Sequence, residues 1–323
     1  MRNTIYAVFL AFGCGIVLGR ILLPILHKLK FGQNIYELAP EAHKKKQGTP
    51  TMGGLVIAGA ALLSGCVLGF LSEGSKALLL AMFALALANM GIGFADDMTK
   101  IRHKENQGLT ARQKLIVQTL VAVAFSVFCY FSPQVGSSIQ IPFLRTEVNL
   151  GLLYIPITAF VIVGTTNSAN LMDGLDGLLT SVSYVDFLFF SVLAGLLGES
   201  ALGAGCGAIV GGCFAFLFYN AFPARMFMGD TGSMFLGGAV SAAAVLMRQP
   251  LILLLVAFWM MMSSLSDLIQ FAYFRVTHGK RIFKMAPIHH HFELSGIHES
   301  KIVVIYTVTT ILLCLLAYLG IAG

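Results

Sequence analysis

Ten stretches of about 20 mainly apolar residues alternate with short polar segments along the chain. They run Thr4 to Leu26, Thr51 to Leu71, Lys76 to Ala95, Lys114 to Phe131, Leu150 to Asn167, Gly177 to Leu197, Ala201 to Tyr219, Ser233 to Met247, Leu251 to Phe274 and Lys301 to Ile321. A helix of about 20 apolar residues crosses roughly 30 Å of hydrocarbon, so the pattern predicts about ten transmembrane helices, the eighth short and the fifth marginal. The first stretch is too long for a cleavable signal peptide and reads as a retained anchor. Between the fourth and fifth, Ser132 to Asn149 carries alternating Ile139, Ile141 and Phe143, which predicts a small β-hairpin. No repeat, low-complexity run or linker interrupts the pattern, so residues 1–323 are expected to form a single polytopic, all-α integral membrane domain.

Composition excludes an ordinary soluble domain, with 57% hydrophobic residues, 11% charged and a mean hydropathy of +0.83. Basic residues set the orientation, because loops rich in Lys and Arg stay in the cytoplasm. Fifteen of the 21 fall in or beside the loops after spans one, three, seven and nine, against Arg2, Lys76, Arg145 and Arg248 on the other side. Ten spans then put both termini outside and five loops inside. The net charge of +6 is divided among those loops, as topology and anionic lipid explain, and excludes a nucleic-acid role. The six cysteines all lie in apolar spans without metal-ligand spacing and read as small core hydrophobes.

Against this background Asp96, Asp97, Asp173, Asp176 and Asp230 stand out, all at cytoplasmic ends of apolar stretches. A carboxylate beside hydrocarbon costs roughly 2 kcal/mol or more, so such residues usually mark a site. Asp96 and Asp97 end the third span; adjacent helical residues point about 100° apart, so one can bind a divalent cation while the other accepts a proton. A solvated helix end is the plainer reading, but a carboxylate pair there opposes the helix dipole. The segment Asn167 to Gly177 packs Asn167, Asn170, Asp173, Asp176 and two glycines into one turn, where capping and turn formation compete with ligand binding. Asn220 and the run Arg225 to Ser233 precede the eighth helix, whose N-cap is expected to be Asp230 or Thr231. Such a helix start offers unpaired N–H groups to a phosphate.

Lys44, Lys45 and Lys46 lead into a Gly-rich helix start at Thr51, suited to an anion yet not a Walker motif. Thr110 and Gln113 form a T-x-x-Q capping box that places Arg112 and Lys114 at the start of the fourth helix, where cations oppose the dipole and an anionic ligand would compensate. His289, His290 and His291 sit in the last inward loop; three consecutive histidines cannot all face one way, so they do not make one metal site, but titration near pH 7 suits them to phosphate contact.

Together, KKKQGTPTMGG, GFADDMTKI, NSANLMDGLDGL, FMGDTGSMFLGG and APIHHHFE resemble the phospho-N-acetylmuramoyl-pentapeptide transferases of bacterial cell-wall synthesis. The motifs run in order from Lys44 to Glu293. The resemblance implies transfer of phospho-N-acetylmuramoyl-pentapeptide from its UDP carrier to undecaprenyl phosphate, giving lipid I and UMP with Mg²⁺, in the bacterial inner (plasma) membrane. By matching motifs Asp96, Asp97, Asp230, His290 and His291 are implied as catalytic, with Asp230 associated with Mg²⁺. Lys46, Thr51, Lys114, Asn167, Asn170, Asp173, Asp176, Asn220, Phe227 and His289 are implied around the substrate. A homodimer is compatible with such a chain. Direct attack by the lipid phosphate, with Asp96 or Asp97 as proton acceptor, is preferred over a covalent aspartyl-phosphate route. A related N-acetylglucosamine-1-phosphate transferase would share the aspartate motifs. A nucleotide-sugar or proton-coupled transporter would place its carboxylates nearer mid-span, where only Asp186 and Asp267 lie.

Overall fold

A computed structural model describes residues 1–28, 48–103, 108–144 and 146–322. Lys46 and its neighbours Lys44 and Lys45 lie outside the described residues. The helices are α1 (Arg2–Lys28), α2 (Gly54–Phe70), α3 (Lys76–His103), α4 (Ala111–Phe131), α5 (Tyr154–Met172), α6 (Leu178–Leu196), α7 (Ser200–Asn220) and α8 (Gly229–Leu246), followed by α9 (Leu253–Val256), α10 (Phe258–Val276), α11 (Ile288–Glu293) and α12 (Glu299–Ala322). Among the described residues seven helices are long and apolar enough to cross a membrane, or eight if the bent pair Pro250–Val256 and Phe258–Val276 is one span. Each of the ten expected stretches is helical. The difference in number arises because α2 has only 17 residues and α8, at 18, opens on the polar run 229–233.

The expected ninth span is not straight: it turns by 84° at Ala257. No proline or glycine occupies the break. Instead Trp259 stacks on Tyr306 of α12 with ring centroids 3.9 Å apart, and its indole N–H donates to the Thr309 hydroxyl. These contacts fix the start of α10 to another helix rather than in line with α9.

Helices α7 and α8 form the centre. Every residue of α8 from Thr231 to Leu246 is buried. Both helices are rich in Gly, Ala and Ser, and small side chains let neighbouring backbones approach closely where water supplies no driving force. At Gly211 a Cβ would lie 2.1 Å from the Val8 carbonyl oxygen, so α1 can cross α7 only over a glycine. The peripheral helices show the reverse: Phe9 on α1, Leu120 and Phe131 on α4, and Leu319 on α12 are all largely exposed. That surface suits lipid.

The predicted hairpin is present as β1 (Ser138–Ile141) and β2 (Thr146–Asn149), antiparallel, with Ile139 opposite Val148. Gln140 N–H donates to the Arg248 carbonyl and Phe143 N–H to that of Gly320, tying the hairpin to the end of α8 and to α12. Phe143 itself lies in the turn, at φ 66°, not in a strand.

Candidate active site

Four helix ends meet at one end of the bundle: the last turns of α3 and α5 and the first turns of α4 and α8. Asp96 and Asp97 from α3 and Asp230 from α8 offer oxygen atoms that all lie within 4.8 Å of one another. Lys100, one turn beyond Asp96 on α3, sits among them, its ammonium 2.6 Å from Asp96 Oδ2, 3.2 Å from Asp230 Oδ2 and 3.9 Å from Asp97 Oδ1. Lys114 of α4 reaches Asp230 Oδ2 at 2.7 Å. Asn170 of α5 donates to Asp230 Oδ1 at 2.7 Å and to the Ser233 hydroxyl at 2.8 Å. Among the described residues three carboxylates thus face two ammonium groups.

The two adjacent aspartates divide as the 100° step predicts. Asp96 accepts Leu109 N–H at 2.9 Å and otherwise faces Lys100. Asp97 turns the other way, onto the first turn of α8, and accepts Asp230 N–H, Thr231 N–H and the Thr231 hydroxyl. Close approach of α3 to α8 depends on Gly93, where a Cβ would lie 2.2 Å from the Asp230 carbonyl oxygen.

This corrects the expected cap. Neither Asp230 nor Thr231 is the N-cap of α8; Met228 holds that position and provides no side-chain bond. Asp97 satisfies the N–H groups of Asp230 and Thr231, so these are not open to a phosphate. The same substitution of a distant residue for a local cap occurs at α6. Asp176 does not cap it. Gly177, at φ 75°, is its N-cap, and Asn220 Oδ1 accepts Gly177 N–H at 3.1 Å and the Thr180 hydroxyl at 3.0 Å. Asn220 Nδ2 donates to the Met226 carbonyl, so the amide is engaged within the fold. Asp176 Oδ2 accepts Ala224 N–H, and Asp176 N–H donates to Glu299 Oε1, which braces the turn after α7 against the start of α12.

Thr51 lies beside the cluster: the pro-L hydrogen of Gly229 points between Thr51 Oγ1 and Asp97 Oδ2, each 2.7 Å from where a Cβ would sit. The segments before α2 and α8 pair through their backbones, with Phe227 N–H donating to Pro50 O and Gly53 N–H to Phe227 O. That exchange holds Phe227, half-buried, at the edge of the site. Asn167 is one turn before Asn170 and donates to Gln118 Oε1 of α4 at 2.9 Å. Arg112 is exposed, and Lys114 alone of that pair enters the cluster.

Asp173, at the end of α5, is half-buried. Burial and then the carboxylates of Asp230, Asp97 and Asp176 push its carboxyl up to about 8. Its neighbour Gly174 meets the histidine loop, where a Cβ would lie 2.3 Å from His289 Nε2 and 3.0 Å from His290 Nε2. The three histidines diverge as expected on the short helix α11. His289 is buried against Gly174, His290 Nδ1 contacts Glu293 Oε2 at 3.1 Å, and His291 Nδ1 accepts Lys284 N–H. His289 and His290 therefore flank the Asp173 side of the site, while His291 faces the preceding loop and the Phe283 ring.

Sequence reading missed Lys100, Thr231 and Ser233 as site residues. Lys100 had a visible signal, its i,i+4 and i,i+3 spacing from the two aspartates, which was absorbed into the count of inward cations.

A family model for glycosyl transferase family 4 matches residues 79–248, and signature 1 of phospho-N-acetylmuramoyl-pentapeptide-transferase matches residues 46–57. The phospho-N-acetylmuramoyl-pentapeptide-transferase of Clostridium novyi is 45% identical over 320 residues, covering 99% of this chain and 97% of the relative. Those of Clostridium perfringens and Clostridium acetobutylicum are each 44% identical, over 314 and 322 residues, covering 97% and 99% of this chain and 95% and 99% of the relatives. At that identity over nearly the whole length, the chain belongs to the phospho-N-acetylmuramoyl-pentapeptide-transferase family.

Proposed function

We propose that this protein transfers phospho-N-acetylmuramoyl-pentapeptide from UDP-N-acetylmuramoyl-pentapeptide to undecaprenyl phosphate at the cytoplasmic face of the bacterial inner membrane, giving lipid I and UMP. The observation that carries the reading is the carboxylate and lysine cluster at one end of apolar helices, in a chain of this family. A soluble nucleotide sugar must meet a phosphate whose prenyl tail stays in hydrocarbon, and a site at the helix ends serves both.

The donor set fits a hard divalent cation: Asp96 and Asp230 present carboxylate oxygens close together, with an ammonium already drawn between them. Mg²⁺ held by Asp230 would supply neutralisation of the diphosphate and of the departing UMP. Lys100 and Lys114 hold phosphate oxygens and keep Asp230 ionised, while Asn170 fixes the rotamer of Asp230. The acceptor phosphate oxygen attacks the phosphorus that bears the sugar; that P–O bond forms as the bond to the UMP oxygen breaks, and Asp96 takes any proton the acceptor phosphate carries. No enzyme nucleophile is required, since the acceptor is already an anion.

Purified protein with undecaprenyl phosphate and Mg²⁺ should release UMP from UDP-N-acetylmuramoyl-pentapeptide and not from UDP-N-acetylglucosamine offered in parallel. Release from the second donor alone overturns the donor assignment, and a trapped phospho-enzyme overturns direct attack.

A further inference from the structure

Asp97 is almost wholly buried, and its two oxygens are spent on the start of α8: Oδ1 accepts Asp230 N–H at 3.2 Å, and Oδ2 accepts Thr231 N–H at 2.9 Å and the Thr231 hydroxyl at 2.7 Å. Thr231 is fully buried, so its hydroxyl has no water to turn to. The residue at the local cap position, Met228, contributes no side-chain bond. The first turn of α8 is therefore held by a carboxylate more than 130 positions earlier in the chain. The residue so held is Asp230, whose carboxylate must converge on Lys100, Lys114 and Asn170.

We infer that Asp97 and Thr231 form a clamp that positions Asp230, making Thr231 a further positioning residue for the reaction and Asp97 a cap on α8 instead of the proton acceptor. A charged carboxylate receiving two N–H donors and a hydroxyl has little acceptor capacity left for substrate. Its value lies in fixing the backbone from which Asp230 projects, because a displacement of about 1 Å at a reacting group costs on the order of 10²-fold in rate. The clamp rests on the phosphotransfer reading above for its effect on turnover, but its effect on cation binding does not.

The test uses full-length protein carrying Thr231→Val, which keeps the shape and removes the hydroxyl, and Thr231→Ser, which restores it. Direct Mn²⁺ titration, read by electron paramagnetic resonance of the free ion, accompanies UMP-release kinetics. Thr231→Val should weaken Mn²⁺ binding about 5-fold and lower kcat about 10-fold with the donor KM within about 2-fold, and Thr231→Ser should recover most of both. Asp97→Asn combined with Thr231→Val should cost little more than Asp97→Asn alone, as expected of two residues acting as one unit. Wild-type Mn²⁺ affinity and kcat in Thr231→Val overturn the clamp. So do fully multiplicative effects of the two substitutions, which would mean Asp97 acts on substrate by itself. If Thr231→Val does not fold, Thr231→Ala judges the same readouts. Should the unaltered protein release no UMP, the phosphotransfer reading fails, and the Mn²⁺ titrations still decide the clamp.

Discussion

The two flanks of the site are built differently. On the acidic flank, Asp96, Asp97 and Asp230 draw partners from four helices, and the bond from Asp97 to Thr231 spans 134 positions of chain. On the histidine flank His290 meets Glu293 three residues away, His291 meets the Lys284 N–H seven residues away, and Ile288 N–H reaches the Ser266 hydroxyl 22 positions earlier on α10. Cross-bracing between helices fixes a group to within small displacements, and on the acidic flank every carboxylate is braced in this way, whereas α11 is a helix of six residues. The acidic flank is thus the one suited to holding charge at a reacting centre.

The hardest test of that contrast is Asp230→Asn. It removes the charge on which both lysines converge while leaving the Asn170 contact possible, and UMP release should fall at least about 10³-fold with little change in thermal midpoint. A loss below about 10-fold would deny the acidic flank its role. Lys114→Met comes next: Lys100 remains to face Asp230, so a loss of about 10²-fold is expected, again in turnover.

The same contrast explains what was legible in the sequence. The apolar pattern located the long helices, because desolvation leaves few ways to place 20 apolar residues, but not the six-residue α11, which the pattern reads as loop. The hairpin followed from two-residue alternation. The aspartates were visible as carboxylates at the ends of such stretches, and the T-x-x-Q box at Thr110 forms with both of its reciprocal bonds. Pairings across the chain were not visible. Nothing near Gly229 or Gly177 signals that their helices are capped by Asp97 and Asn220, so local capping rules pointed to Asp230 and Asp176. The bend at Ala257 was equally hidden, because its cause is a stack with Tyr306 of α12 and no residue within the segment.

Substitutions on the histidine flank should act more weakly, and their ranking sharpens the comparison. His290→Gln is expected to lower turnover about 10- to 10²-fold. Glu293→Gln, which leaves the His290 ring in place and removes the carboxylate beside it, should cost about 5-fold, as for one hydrogen bond to a charged group. UMP-release kinetics on the two variants checks the order. A His290→Gln loss equal to that of Asp230→Asn would erase the distinction between the flanks.

The last test reads stability and not turnover, and concerns Asp173, which lies between the two flanks and belongs firmly to neither. Its carboxyl holds its proton up to about pH 8 in the folded protein but gives it up near 3.8 in the unfolded chain. Between those values the unfolded chain binds fewer protons, so the contribution of Asp173 to stability is fully present below about pH 4 and is lost as pH rises toward 8. Asn cannot titrate. Asp173→Asn should therefore gain in thermal midpoint relative to the unaltered protein between pH 5 and pH 8.5, measured in detergent with divalent cations chelated. A constant difference across that range would mean that Asp173 is already ionised, and that the acidic flank does not extend its field to the end of α5.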